Sequence, residues 1–288
     1  MLRTTRKSAS QKEPLIRIAP VLSFNVMPLM CISNPKTRIE RAGHDPKGNG
    51  KDRTVETVQF FEAEPPMHLR GVVHRFLELR TQAPLPDDYR FHALPDACTY
   101  VVLDQLDRKV AGVTRLRASS QELNLGQTFH FINIRFLPGV WQGDREQISY
   151  GLVEDAYSGD LPLLELNQTL IGQDFATKQA TLSRFVESLV QSKLVLANPV
   201  TEKIFQNLDE IHSVADMAAA SDLSPRQLQR VLKRTIGFAP HDFLKVLRLQ
   251  QSLNGEPSLS YADQSHFIHS FRKATGYTPG RYSRKFDV

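Results

Sequence analysis

The segment Leu228 to Phe243 (LQRVLKRTIGFAPHDF) returns 39 positions later as Phe267 to Tyr282 (FIHSFRKATGYTPGRY). Each copy sets two large apolar side chains four apart on a basic helix, Leu228 and Leu232 in the first, Phe267 and Phe271 in the second. Each then closes with a glycine, an aromatic, a small residue and a proline. Gly237 and Gly276 can adopt the left-handed backbone that ends a helix, and Pro240 and Pro279 suit the first turn of the next. Two copies of one small helical unit is the construction of a double DNA-reading head.

The residues before the first copy complete such a unit. Val200 to Ile211 reads as a helix with Ile204, Leu208 and Ile211 inward, and Val214 to Ala220 (VADMAAA) as a second whose alanines allow close approach. A tight break at Ser221 to Leu223 leads into a third helix, with Ser224 as its cap and Pro225 at its first position. Short helix, tight turn and capped basic helix is the helix-turn-helix order. In the third helix Leu228, Val231 and Leu232 form a buried stripe, while Arg226, Gln229, Arg230 and Lys233 share the opposite face. Arginine can grip the acceptor edge of guanine with two bonds and glutamine can read adenine; Lys233 and Arg234 are better placed for phosphates. A merely solvated basic helix is the plain alternative, and the second copy weighs against it.

Charge is distributed to match. Residues 1–60 carry 11 Lys/Arg against 5 Asp/Glu, residues 61–200 carry 13 against 17, and residues 201–288 carry 12 against 9. After Leu223 there are 11 basic residues and only Asp242, Glu256, Asp263 and Asp287 against them. A basic end on an acidic body reads as a module that meets a polyanion.

The remaining 200 residues divide by pattern. Residues 1–56 are rich in Pro, Gly, Asn and Lys around one apolar patch, Ile16 to Ile32, and are expected to form a disordered basic tail. Residues 57–197 are expected to form a regulatory, ligand-sensing unit. Tyr100 to Leu103 and Phe129 to Phe136 (FHFINIRF) are β-type runs, and Pro138-Gly139 ends the second. Several short strands at this spacing suggest a small barrel or sandwich able to hold a ligand. Leu182, Phe185, Val186, Leu189 and Leu194 then recur at helical spacing. That face either packs on the β-unit or makes a homodimer seam. Asn198-Pro199 reads as the linker to a DNA-binding unit over 198–288. The fold class is thus α+β: a barrel or sandwich with helices, followed by an all-α head.

No run of about 18 apolar residues occurs, which argues against a membrane span and, with no evident signal peptide, for a cytoplasmic protein. The two cysteines, Cys31 and Cys98, are too few and too far apart for a zinc pattern or disulfide scaffold. Neither HExxH nor G-x-S-x-G occurs, and the histidines of the β-region stand apart, so an enzyme, a metal site and a cofactor are all disfavoured.

The head resembles that of AraC/XylS-type bacterial transcription regulators, whose C-terminal portion is two helix-turn-helix units joined by a long helix. The matching pieces are DLSPRQLQRVLKRTIGFAPHDF, the connecting FLKVLRLQQSL and YADQSHFIHSFRKATGYTPGRY, about 85 residues in all. The middle region, with LPDACTYVVLD and IRFLPGVW, is similar to the sensory domain of one branch of that family. The resemblance implies a regulator that binds double-stranded promoter DNA and often answers a small-molecule effector or a partner. By matching position, the first recognition helix would present Arg226, Gln229 and Arg230 to bases and the second Ser265, His266 and His269, with Arg272 and Lys273 beside them. Histidine near its ordinary pKa of about 6.5 can bond a base as a neutral ring or a phosphate as a cation. His266 and His269 lack a third ligand nearby, so a metal pair is disfavoured.

One departure stands out. Ser213 is followed by VADMAAAS before the first recognition helix, whereas Ser258-Leu259-Ser260 runs straight into Tyr261-Ala262-Asp263. Roughly eight residues, the counterpart of the positioning helix, are missing. Phe267, Ile268 and Phe271 are then expected to be more exposed, unless the last helix docks on the connecting helix. The first unit is expected to dominate DNA reading. The competing function is a ligand-binding or protein-interaction protein with an impaired head.

Overall fold

The computed structural model describes residues 57–115, 119–144, 148–149, 152–253 and 264–286. The expected tail, and the residues bridging the connecting helix to the second unit, lie outside them. Within the described residues the chain is mixed α+β.

Eight strands come first: β1 (Val58–Ala63), β2 (Val73–Thr81), β3 (Arg90–Ala93), β4 (Thr99–Asp104), β5 (Ala111–Arg115), β6 (Gln121–Asn124), β7 (His130–Phe136) and β8 (Ile148–Ser149). Six form one sheet in the order β1-β2-β7-β4-β5-β8, and β3 and β6 pair separately as a two-stranded sheet. The expected barrel is therefore not closed. The large sheet ends on β1 at one edge and on the two-residue β8, paired parallel to β5, at the other.

Strand periodicity divides the large sheet into two working faces. Phe76 lies opposite Ile134, and Val101 and Leu103 lie opposite Ile134 and Ile132. These residues, with Phe136, are buried in the main core beneath α1 (Leu163–Leu170) and α2 (Phe175–Gln191). The alternate residues, among them Leu77, Leu79, Phe131 and Phe60, face the β3/β6 pair and form a second core with Phe129, Leu85 and Tyr89. Leu182, Phe185, Val186 and Leu189 of α2 all lie in the main core, so this stripe packs inward on the sheet. Across the same interface Lys178, buried on α2, meets the buried Glu78 of β2 at 2.8 Å, and His130 of β7 meets the same carboxylate at 2.6 Å.

The C-terminal helices are α3 (Pro199–Gln206), α4 (Val214–Ala220), α5 (Pro225–Thr235), α6 (Pro240–Leu253), α7 (Gln264–Thr275) and α8 (Pro279–Lys285). The expected helix over 200–211 is in fact α3 followed by a single 3-10 turn, Leu208–Glu210. Asn198-Pro199 is not a free linker. Asn198 caps α3, its Oδ1 accepting from Val200 N at 3.0 Å and its Nδ2 donating to the Gly139 carbonyl at 3.1 Å. Thr201 Oγ1 donates to the Pro138 carbonyl at 3.0 Å. Ile204, Phe205, Met217, Leu228, Leu232 and Phe243 belong to the same continuous core as the sheet.

Candidate nucleic-acid interface

The first unit assembles from local signals. Ser213 caps α4 by accepting from Asp216 N. Ala218 and Met217 are buried, which lets α4 lie close under α5. The turn between them passes through Asp222 at φ 56°. Ser224 then forms a reciprocal capping box with Gln227: Gln227 N donates to Ser224 Oγ at 3.3 Å and Ser224 N donates to Gln227 Oε1 at 2.9 Å. Pro225 occupies the first helical position, where its missing N–H costs nothing.

On α5, Leu228 and Leu232 are fully buried, while Arg226, Gln229, Arg230, Lys233 and Arg234 are all exposed. The helix thus sits in the core by one stripe and offers a basic, hydrogen-bonding face to solvent. At its end Gly237 takes φ +86° and donates to the Leu232 carbonyl at 3.0 Å. Arg115 of β5 reaches this terminus and donates from Nη1 to the Ile236 carbonyl at 2.7 Å. A Cβ on residue 237 would lie 3.2 Å from that Nη1, so glycine serves both the turn and the close approach here.

The second unit repeats the pattern. On α7, Phe271 is buried and Phe267 half-buried, while Ser265, Ile268, His269, Arg272 and Lys273 are exposed. The side chains of Gln264 and His266 lie outside the described set. Phe271 does not lose its cover, contrary to the expectation from the shortened sequence. It packs with Leu94, Leu249, Tyr282 and Phe286 in a third core cluster. The expected docking on the connecting helix holds in part, through Leu249 of α6. The rest of the cover comes from α8 and from the β3/β6 pair. His92 of β3 lies 5.0 Å from the Phe286 ring in a stacked arrangement, and its Nδ1 is 3.2 Å from the Tyr282 hydroxyl. Ser120 N donates to the Ala274 carbonyl at 3.0 Å, at the C-terminal end of α7.

The 39-residue offset places Ile268 where α5 carries Gln229. Sequence reasoning passed over Ile268 as a stranded core residue. The repeat register was the signal that identifies it with the exposed face, and it is one of only six large hydrophobics more than a third exposed among the described residues.

Among the described residues no group of three or more His, Cys, Asp or Glu stands together as a metal site, and no helix is long and apolar enough to cross a membrane. Cys98 is buried, and burial pushes its thiol far above the ordinary range.

No family model matches the chain. A curated relative, the HTH-type transcriptional regulator MtrA of Neisseria gonorrhoeae, is 26% identical over 95 aligned positions, covering 29% of this chain and 32% of the relative. The chain thus spans about a third of the length of the curated relative it matches. Two solved structures of ToxT from Vibrio cholerae align over 78% and 79% of this chain, at 10% and 13% identity with TM-scores of 0.32 and 0.37, scores too low to establish a common fold. The capped basic helix α5, the basic α7 in the same repeat register, the long helix α6 and the closing Gly-aromatic-small-Pro turns make the C-terminal helices similar to the head of an HTH-type transcriptional regulator.

Proposed function

We propose that the protein is a sequence-specific DNA-binding regulator of transcription, with α5 and α7 as recognition helices in the major groove of double-stranded promoter DNA. The observation that carries this reading is the matched exposure of the two helices. Each buries an apolar stripe and presents a polar or basic face in the same repeat register. Arg226, Gln229 and Arg230 are assigned to base edges, and Lys233 and Arg234 to phosphates. On α7 the base-facing set is Ser265, His266 and His269, with Arg272 and Lys273 toward the backbone. Ile268 joins that set as an apolar contact suited to a thymine methyl.

The β-rich part, residues 57–197, is the regulatory unit in this reading and residues 198–288 the head. Control by a small-molecule effector is supported by the mostly apolar cavity between the large sheet and the β3/β6 pair. A binding role without catalysis accords with this arrangement, and action on DNA places it in the cytoplasm. The burial of Phe271 favours a functional second unit over an impaired one.

Gel shift on a selected operator tests the reading. Arg230→Ala should lose sequence-specific binding, with a cost of about 1–3 kcal/mol, and should lose much more than His269→Ala. Equal losses for the two variants would reject the dominance of the first unit. Binding without preference for any operator would reject sequence-specific regulation itself.

A further inference from the structure

Aligned at their offset of 39 positions, the two units place their positive charge differently. Arg226 and Arg230 of α5 are replaced on α7 by Ser265 and His269, while Lys233 and Arg234 keep their charge as Arg272 and Lys273. The second recognition helix is therefore the poorer in cations. The helix that follows changes in the opposite sense. At the start of α6, Asp242 and Lys245 form an ion pair at 3.2 Å and cancel each other. The matching positions on α8 are Arg281 and Arg284, with Lys285 where α6 has Val246.

These three cations stand at spacings of three and four and so share one side of α8. All three are exposed. Tyr282 and Phe286 hold the helix from another side, buried with Phe271 in the third core cluster. Lys285 lies over two rings, its Nζ 5.4 Å from the centroid of Tyr277 and 5.2 Å from that of Phe286. Arg281 and Arg284 have no ion-pair partner among the described residues. Two arginines on a firmly seated helix are thus open to an anion from outside the molecule.

Their position decides which anion. The Tyr282 ring meets Phe271 of α7 edge-on, with centroids 5.6 Å apart, so α8 lies directly beside the helix assigned to the major groove. A helix with its side chains measures about 10–12 Å across and fills a groove about 12 Å wide. An element packed against that helix meets the rim of the groove, where the phosphates stand, and not the base edges. The planar fork of arginine suits a phosphate there.

We propose that Arg281 and Arg284 form a phosphate clamp on the DNA strand bordering the groove that α7 enters, and so return to the second unit the charge its recognition helix lacks. The proposal rests on the reading of α7 as a recognition helix.

Fluorescence anisotropy of the full chain on a selected operator and on a scrambled duplex of equal length, over a series of salt concentrations, provides the test. Arg281→Gln/Arg284→Gln should reduce the slope of log affinity against log salt by about 2 and weaken binding at about 0.1 M salt by roughly tenfold or more. The loss should be equal on both duplexes, leaving the preference for the operator unchanged. Arg281→Lys/Arg284→Lys keeps both charges and should keep the wild-type slope. Lys109→Gln/Arg184→Gln removes two exposed cations from the β-rich part and should leave the slope as it is. An unaltered slope in Arg281→Gln/Arg284→Gln, a loss confined to the operator, a reduced slope that persists in Arg281→Lys/Arg284→Lys, or an equal reduction in Lys109→Gln/Arg184→Gln would each overturn the clamp. Wild-type binding without operator preference would remove sequence-specific reading alone, because the slope is measured on either duplex. No wild-type binding to either duplex would remove both conclusions.

Discussion

Arg115, at the end of β5, donates from Nη1 to the carbonyl oxygen of Ile236 at 2.7 Å and so closes the C-terminal end of α5 from the β-rich part of the chain. A cation suits that position, because the last carbonyls of a helix carry partial negative charge. A few residues further on, Ser120 N holds the Ala274 carbonyl at the end of α7. One stretch of chain therefore grips both candidate recognition helices at nearly equivalent points of the repeat. Arg115→Met should lower the free energy of unfolding by about 1–3 kcal/mol, since a buried charge-assisted bond is lost and its acceptor is left behind. Urea unfolding followed by fluorescence of Trp141, the one tryptophan in the chain, measures it. A change below 0.5 kcal/mol, the ordinary range for a surface substitution, would deny Arg115 this role.

Phosphate contacts and base contacts separate by their salt dependence. Lys233 lies near the end of α5, away from the helix start, and is assigned to the backbone. Lys233→Ala should weaken binding to all sequences alike and reduce the slope of log affinity against log salt by about 1. Arg230→Ala should instead relax preference at one base position. Measuring both variants on matched and scrambled operators at two salt concentrations distinguishes these patterns.

Ile268 supports a narrower prediction. If its side chain meets a thymine methyl, replacing that thymine by uracil removes about one buried methyl, a cost of about 0.8 kcal/mol, or roughly fourfold in Kd. Ile268→Ala should bind both operators alike. A thymine-to-uracil effect that persists undiminished in Ile268→Ala would place the methyl contact elsewhere.

How much of this was legible in the sequence depended on range. Ser224, Pro225 and Gln227 act within one turn of each other, so α5 could be read directly, and α4 follows from Ser213 and its alanines in the same way. The β-branched and aromatic residues of FHFINIRF likewise marked β7. Pairing partners are not local. Nothing in the short strands says that β3 and β6 leave the large sheet to pair with each other, so the expectation stayed at a barrel or sandwich, and the large sheet is found open. Asn198-Pro199 illustrates a signal with two meanings, since the same dipeptide ends one segment and caps the next helix. The cover over Phe271 was invisible for the reason that applies to any tertiary contact. Leu94 reaches it from a distant part of the sequence, just after β3.

The buried Glu78, Lys178 and His130 cluster ties α2 to the sheet. Burial by itself would raise the Glu78 pKa, but hydrogen bonds from His130 and Lys178 and their charges outweigh it and hold the carboxyl below its ordinary 4.5. Its contribution to stability is therefore present above about pH 4.5 and is lost as pH falls through the lowered value. Lys178→Met leaves the carboxylate buried with less compensation and should cost about 3–5 kcal/mol. The double variant Glu78→Leu/Lys178→Met should recover much of that loss in urea unfolding; a double variant no better than the single would contradict the pairing.

His92 provides the opposite case, a buried base. Burial lowers its pKa below 6.5; Glu122, across the β3–β6 pair, works to raise it, Lys285 lowers it further and a bond at Thr275 raises it. Around the ring stand Tyr277, Tyr282 and Phe286, which suit a neutral imidazole. The unfolded chain therefore takes up a proton near pH 6.5 that the folded chain still refuses. Stability from this group is full above about pH 6.5 and declines as pH falls toward the lowered folded value. Because His92 holds α8 against β3, the loss should appear first in the second unit. Amide exchange across residues 279–286 should accelerate between pH 7.5 and pH 5.5, beyond the intrinsic chemical dependence, in the wild-type chain. His92→Phe preserves an aromatic ring without a titrating nitrogen and should remove that excess, although it gives up the bond to Tyr282. An equal acceleration in both proteins would assign the pH response to other groups and leave His92 as packing alone.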